Sequence, residues 1–292
     1  MNERVRTPSL ASNVYGVIAL MRPTHWIKNG FVIAPLLFTG EFLDAIAVVA
    51  VLKAFGLFCV ASSAIYILND IHDIENDRSH ALKSRTRPLA AGVVALPVAI
   101  VLMLLLYCIV VSGWIFAPKV VEVIAAYVAL NFAYTFLLKQ HAVVDIFAIA
   151  IGFVLRVHAG AMALAVPVSN WMFVTTLCLA LYLASIKRRQ ELRQRGVSGL
   201  EGWGKYSEAL VDRYAEMSAT GALVFYGMFV MSSRPQLVVT IPMVLFGIFR
   251  YWYVVEEQDG GESPTDALLS DWQLMVTIGV WVLLCGWVLW PM

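Results

Sequence analysis

Residues 64–78 read Ala-Ile-Tyr-Ile-Leu-Asn69-Asp70-Ile-His72-Asp73-Ile-Glu-Asn-Asp77-Arg78. A long apolar run stops here in carboxylates spaced three and four residues apart. On a helix each residue turns about 100°, which puts Asp73 about 60° and Asp77 about 20° away from Asp70. The spacing predicts three carboxylates on one narrow face at the end of a membrane span. Left alone they would repel one another. A hard divalent ion such as Mg2+ removes the conflict, because it takes carboxylate oxygens and shares itself with substrate phosphates. Lys83-Ser-Arg85-Thr-Arg87-Pro88 follows closely. Such a basic cluster beside a metal site suits a diphosphate, with metal on some oxygens and Arg forks on others. The plainer alternative is a solvated helix end. His72 and His80 read as surface or supporting histidines rather than ligands.

The rest of the chain explains why the motif sits at a membrane. Hydrophobic residues make up 60% of the 292, charged residues only 14%, and mean hydropathy is +0.77. Soluble domains carry about 25% charged residues, so a soluble protein is excluded. In lipid the backbone must satisfy itself, as helices or as a closed barrel. The apolar runs are continuous, whereas a barrel needs alternation. The fold class expected is therefore all-α and polytopic. Nine spans are read, near 14–40, 43–68, 94–116, 119–138, 143–165, 170–186, 215–233, 237–255 and 272–290. Pro23 and Pro35 make the first a kinked span or an interfacial segment. Cys59, Cys108, Cys178 and Cys285 lie inside apolar runs without metal-like spacing and read as packed thiols. A net charge of +1 gives no reason to expect nucleic acid as a partner.

Charge sets the orientation. With the N-terminus in the cytoplasm, sixteen Lys and Arg fall inside and three (Lys53, Lys119, Arg234) outside, with Arg156 and Arg250 within spans. By the positive-inside rule the polar arm 1–13 and the long loops 69–93, 187–214 and 256–271 are cytoplasmic, and the C-terminus is external. The chemistry belongs on the cytoplasmic face.

Asn69-Asp70-x-x-Asp73-x-x-x-Asp77 resembles the first aspartate-rich motif of the UbiA superfamily of intramembrane prenyltransferases. That resemblance implies nine helices around a cytoplasm-facing cavity, a single domain over 1–292, and Mg2+ held by Asp70, Asp73 and Asp77 with Asn69 orienting. Members acting in quinone pathways carry a second acidic motif after the sixth span. Here that position reads Ile186-Lys187-Arg188-Arg189-Gln190-Glu191-Leu192, basic where theirs is acidic. Further segments look like the decaprenyl-phosphate phosphoribosyltransferase branch: Arg22-Pro23-Thr-His-Trp26-Ile-Lys28-Asn29, Tyr134-x-x-x-Leu138-Lys139, Asp145, Gly152-Phe-Val-Leu-Arg156, Arg250-Tyr-Trp-Tyr-Val and Ser263-Pro-Thr-Asp-x-Leu-Leu-x-Asp271. This branch implies transfer of phosphoribose from phosphoribosyl pyrophosphate to a polyprenyl phosphate. Its partners are those two substrates and the lipid bilayer of the plasma membrane, with self-association left open. Aromatic-ring prenylation by the same fold is the alternative. A transporter fits less well, since its charges belong at the midplane and these carboxylates sit at a surface.

Three anionic groups need many cations around one acidic site. Lys28, Lys83, Arg87, Lys139, Arg156, Lys187 and Arg188 are the candidates, with Asn29, Tyr134 and Glu191 beside them. Each has a bland reading as well. Lys28 could snorkel to the interface, and Lys187 and Arg188 could be topological anchors, as Arg189, Arg193 and Arg195 are expected to be. Arg156, inside a span, must be paired or face a cavity. Asp145 is eleven residues from it, about 16 Å along a helix, too far for direct pairing. His158 reads as a packed polar group, and Trp26 as a wall of the acceptor groove.

Overall fold

The computed structural model describes residues 10–79, 82–195, 206–257, 268 and 270–290. Among them the chain is helical, with no strand. In chain order the α-helices are α1 (Leu10–Met21), α2 (Ala34–Thr39), α3 (Ala45–His72), α4 (Ile74–Ser79), α5 (Lys83–Thr86) and α6 (Leu96–Ser112). Then come α7 (Pro118–Phe136), α8 (Val144–Ala163), α9 (Asn170–Arg195), α10 (Glu208–Ser233), α11 (Ile241–Glu257) and α12 (Trp272–Val288).

Six helices are long and apolar enough to cross a membrane, over Ala45–His72, Leu96–Ile115, Pro118–Phe136, Val144–Ala163, Asn170–Arg193 and Pro235–Glu256. The expected count of nine is thus reached only in part. α12 is apolar but has 17 residues, and α10 opens with the charged stretch Glu-Ala-Leu-Val-Asp-Arg before its apolar part. The expected first span, 14–40, is not one helix. Arg22 takes a left-handed φ of 52°, and Pro23–Val32 follows as a 3₁₀ segment before α2. Proline cannot supply the next helical N–H, and it bars the preceding residue from the helical region, so Arg22-Pro23 breaks the chain there.

Two helical groups carry the core. Around α3, α6, α7 and α8, Ala54, Phe58, Ala61, Ile65, Val110, Ile124 and Tyr127 are buried together with Val32 and Ala159. Around α9 to α12, Tyr182, Ile186, Ala215, Tyr251, Val254 and Leu274 form a second cluster. α8 packs on α9 and joins the groups through Ile146, Ala184 and Val211. The 3₁₀ segment crosses α8 so closely that a Cβ on Gly160 would lie 2.0 Å from the carbonyl oxygen of Val32. That crossing holds Arg22, His25, Lys28 and Asn29 over the helices that carry the acidic motif. Large apolar side chains such as Ile115, 88% exposed, and Leu105 face outward, as suits lipid. The chain is a multi-pass membrane protein.

Candidate active site

α3 begins on Asp44, whose carboxylate accepts the Ile46 N–H at 2.9 Å. It delivers Asn69 and Asp70 in its last turn. The helix then stops: Asp73 is its C-cap, at φ −96° and ψ 10°, and Asp77 lies on the separate α4. The break corrects the single-face expectation. Asp70, 2% exposed, and Asp77, 4% exposed, come together on one guanidinium. Arg87 Nη1 donates to Asp70 Oδ1 at 3.0 Å and also to Asp77 Oδ2. Asp73 turns elsewhere, accepting from Lys139 Nζ at 3.0 Å with His72 Nδ1 at 2.8 Å. Burial alone would raise the Asp73 carboxyl, but its hydrogen bonds to His72 and Lys139 outweigh that and hold it below the usual carboxylate range. Among the described residues no three His, Cys, Asp or Glu side chains gather as a metal-binding group.

The remaining partners come from distant segments. Arg22 donates to Asp70 Oδ1, and Lys83 Nζ stands 3.9 Å from Asp77. Asn69 accepts from Thr135 of α7. Asp70 Oδ2 is buried with no hydrogen-bond partner, an orphaned hard oxygen of the kind Mg2+ takes. The donor set therefore fits that ion, with Asp70 as its anchor.

Above this pair the positive charges of Lys28, Arg22, Lys187 and Arg87 all reach the His25 ring. They arrive from the 3₁₀ segment and its leading residue, from the 83–88 loop and from α9. Tyr66 floors the cluster: Arg22 stacks over its ring at 5.1 Å, and His25 meets its edge at 5.2 Å. Sequence reading missed Arg22, His25 and Tyr66 as site residues. For Arg22 a signal existed, since it is a charge between two apolar stretches, next to a helix-breaking proline.

Asn29, fully buried, sits deeper. It donates to Ser62 Oγ at 3.1 Å and Cys59 Sγ at 3.3 Å and accepts from Arg156 Nε at 2.8 Å. Arg156 also donates to the Gly152 carbonyl and the Tyr127 hydroxyl, both at 2.9 Å. The rings of Tyr127, Phe153 and Phe58 surround its guanidinium at 4.8, 5.1 and 5.4 Å. Arg156 has no carboxylate partner among the described residues, so the alternative of an Asp145 pair falls. Trp26 donates to Ser63 Oγ at 3.0 Å.

Asp145 pairs with Arg188 instead. Arg188, 4% exposed, donates to Asp145 Oδ2 and to Glu191, while Tyr206 donates to Asp145 Oδ1 at 2.7 Å. Lys187 is 3.7 Å from Glu191, and Tyr134 lies within electrostatic reach of Arg188. Lys187, Arg188 and Glu191 do share one side of α9, but Arg188 is committed to an internal ion pair, while the Lys187 side chain stays 37% exposed. Arg189 is tied to Asp212 at 2.7 Å and to Glu256, and Arg193 to Glu256 at 3.1 Å. His80, Lys205 and the 263–267 segment lie outside the described residues, as does the Arg195 side chain.

The chain is similar to several known proteins over most of its length. A decaprenyl-phosphate phosphoribosyltransferase of Mycolicibacterium smegmatis is 34% identical over 92% of this chain and 91% of its own. One of Mycobacterium tuberculosis is 31% identical over 98% of both. The solved structure of a UbiA homolog from Archaeoglobus fulgidus bound to GPP and Mg2+ superposes with a TM-score of 0.72 at 16% identity, over 95% of this chain and all of that one (100%). The model of the UbiA prenyltransferase family matches residues 31–270. The acidic motif lies within that match, and this chain belongs to the UbiA prenyltransferase family.

Proposed function

We propose that the protein transfers 5-phosphoribose from phosphoribosyl pyrophosphate to a polyprenyl phosphate at the cytoplasmic face of the plasma membrane, with Mg2+ as cofactor. The observation that carries this reading is the gathering of Arg22 and Arg87 on Asp70, with Lys83 3.9 Å from Asp77 and Lys139 on Asp73. A donor with a diphosphate and a separate phosphate, meeting an acceptor that is itself a phosphate, needs that much positive charge. A neutral aromatic acceptor does not. The names of the mycobacterial relatives agree with the reading.

In the reaction an oxygen of the acceptor phosphate bonds to the ribose anomeric carbon. The bond from that carbon to the pyrophosphate oxygen breaks, and pyrophosphate leaves with the electron pair. The acceptor is already an anion, so no strong base is needed. Negative charge grows on the leaving group, and Arg22 and Arg87 are set to stabilise it there. Mg2+, held by Asp70 and Asp77 with Asp73 at the edge, would neutralise diphosphate oxygens. Asn69, fixed by Thr135, keeps the end of α3 in register. Lys83 and Lys139 bring positive charge to the rim of the site, Glu191 holds Lys187 and Arg188 on its α9 side with the neutral Tyr134 near Arg188, and Arg156 with Asn29 offers a deeper positive site for the acceptor phosphate.

The test is incubation of purified protein with labelled phosphoribosyl pyrophosphate and polyprenyl phosphate, followed by lipid product analysis. A phosphoribosylated lipid and stoichiometric pyrophosphate are expected. Turnover with a prenyl diphosphate and an aromatic acceptor, and none with phosphoribosyl pyrophosphate, would replace this reading with aromatic prenylation.

A further inference from the structure

One face of α3 carries both halves of the site. Cys59, Ser62, Ser63, Tyr66 and Asp70 follow one another along it, and at about 100° per residue they fall within a sector of about 100°. The 3₁₀ segment and its leading residue are laid along that face. Arg22 bonds Asp70, His25 meets the edge of the Tyr66 ring at 5.2 Å, Trp26 donates to Ser63 at 3.0 Å and Asn29 to Ser62 at 3.1 Å. Tyr66 is four residues from Ser62 and four from Asp70, about 6 Å along the axis from each. It is the step between the carboxylate that Arg22 holds and the Asn29 that holds Arg156.

The ring and the hydroxyl of Tyr66 are differently engaged. The ring is fixed, with the Arg22 guanidinium 5.1 Å from its centroid and His25 on its edge. The hydroxyl has no hydrogen-bond partner among the described residues, and it is not sealed in, since the residue is only partly buried. The other hydroxyls nearby are all engaged. Ser63 donates to the Met21 carbonyl at 2.9 Å, Ser62 to the Cys59 carbonyl at 3.0 Å, and Tyr127 accepts from Arg156 at 2.9 Å. On a helix a long side chain leans toward the N-terminus and covers the turn before its own Cα. For Tyr66 that turn holds Ser62 and Ser63, at the level of Asn29 and Arg156. The hydroxyl lies within electrostatic reach of Arg156 and Tyr127 as well as Arg22.

We propose that Tyr66 contacts the acceptor: its hydroxyl donates a hydrogen bond to the phosphate of the polyprenyl phosphate at Arg156, and turns that phosphate toward the donor at Asp70 and Arg22. This rests on the transferase reading above, in which the acceptor phosphate lies at Arg156. Arg156 gives its hydrogen bonds to neutral groups, the Asn29 side chain, the Gly152 carbonyl and the Tyr127 hydroxyl, and a cation so placed favours an anionic ligand. A phosphate offers only acceptors to an O–H beside that cation, and a hydrogen bond to a charged acceptor is the stronger kind. With Arg22 stacked on the ring and the acceptor phosphate on the hydroxyl, one side chain sets the distance between the leaving group and the attacking oxygen.

Tyr66→Phe removes the hydroxyl and leaves the ring under Arg22. With the full chain in detergent, binding of farnesyl phosphate is first titrated by calorimetry without any donor. Affinity should fall roughly tenfold, in line with the loss of one hydrogen bond to a charged group, at an unchanged unfolding temperature. Farnesol, which lacks the phosphate, should bind both proteins alike. In steady-state pyrophosphate release the half-saturation point for the lipid acceptor should rise by a similar factor, while that for phosphoribosyl pyrophosphate stays put. Tyr66→Leu, which also takes the ring from under Arg22, should move both points. Farnesyl phosphate affinity of the Phe variant within about twofold of wild type would overturn the proposal. So would an equal loss for farnesol, or an equal shift of both half-saturation points, which would make Tyr66 a prop for Arg22. Wild-type binding of farnesyl phosphate with no turnover of phosphoribosyl pyrophosphate would overturn the transferase reading alone, and the calorimetric comparison would still decide the Tyr66 contact.

Discussion

Arg87 Nη1 bonds both Asp70 and Asp77, two carboxylates that the end of α3 has placed on different helices. One guanidinium therefore does what a continuous helix would have done by periodicity. It also spans the acidic and basic halves of the site. Arg87→Ala removes two charge-assisted hydrogen bonds, each worth about 1.5–3 kcal/mol. Pyrophosphate release should fall by a factor on the order of 10² or more. Arg87→Lys should recover part of the loss, because a point charge cannot fork. Activity of the alanine variant within twofold of wild type would remove Arg87 from the site.

Asp73 is held by Lys139 and His72 rather than gathered with its neighbours. Burial pushes its carboxyl up, and those partners outweigh the burial and hold it below the usual carboxylate range. A lowered folded-state value means the ionised form favours the fold. That contribution is complete above the ordinary carboxylate value and is lost only as pH falls through the lower folded value. Asp73→Asn should therefore lower the unfolding temperature by a constant amount from about pH 8 to pH 5, and the gap should close only under stronger acid. Scanning calorimetry in detergent across that range is the measurement. A gap that closes between pH 7 and pH 5 would mean that Asp73 is not held as described. The same variant should lose Mg2+-dependent turnover by about 10²-fold.

Membrane character, the acidic motif and the basic residues around it were legible because each leaves a local mark: unbroken hydropathy, charge spacing, charge inside apolar sequence. Where the helices end was not. Periodicity carries Asp70, Asp73 and Asp77 along one ideal helix, while the structure stops α3 at His72, with Asp73 at φ −96° and ψ 10°. The cation cluster was legible as a list and not as a place. Lys28 and Lys187 are 159 positions apart in the chain, and no local pattern says that both charges act on His25. The internal ion pair of Arg188 was hidden for the same reason. Its partner Asp145 is 43 positions away, and no local pattern links the two.

The crossing of the 3₁₀ segment over α8 should not tolerate a side chain. Gly160→Ala sets a Cβ 2.0 Å from the Val32 carbonyl oxygen, and backbone on backbone has no easy escape. The expected result is a loss of about 1–3 kcal/mol or more from overpacking, read as a lower unfolding temperature and as loss of turnover together. Gly279→Ala, where a new Cβ meets nothing within 4 Å, is the control. Normal stability of the Gly160 variant would mean the 3₁₀ segment sits further from α8.

Orientation follows from charge and can be read directly. A single cysteine at Arg85 should be shielded from a membrane-impermeant thiol reagent added outside intact cells, while one at Trp290 should react, in a background lacking the four native cysteines. The expectation rests on the sixteen Lys and Arg that the expected topology puts on the cytoplasmic side, against three on the other. Labelling at position 85 but not at 290 would invert the topology and move the site to the other face.

Lys187 and Arg188 are adjacent and similarly charged, yet their surroundings predict opposite phenotypes. Arg188 is buried against Asp145, itself 1% exposed, and also bonds Glu191. Removing one partner of a buried pair strands the other, at a cost of about 3–5 kcal/mol. Arg188→Ala should therefore lower stability sharply, and Asp145→Asn in the same chain should restore much of it by removing the stranded charge. Lys187 is 37% exposed at its side chain, and its charge reaches the His25 cluster. Lys187→Ala should leave the unfolding temperature within a degree or two and weaken donor binding roughly tenfold, for one charge-assisted contact worth about 1.5–3 kcal/mol. Donor titration by pyrophosphate release at saturating acceptor separates the two effects, because a merely unstable enzyme loses amplitude while its half-saturation point stays put. If Lys187→Ala leaves that point unchanged, the lysine is a topological anchor. If Arg188→Ala moves it without loss of stability, Arg188 reaches the donor after all, and the Asp145 pair is only its resting position.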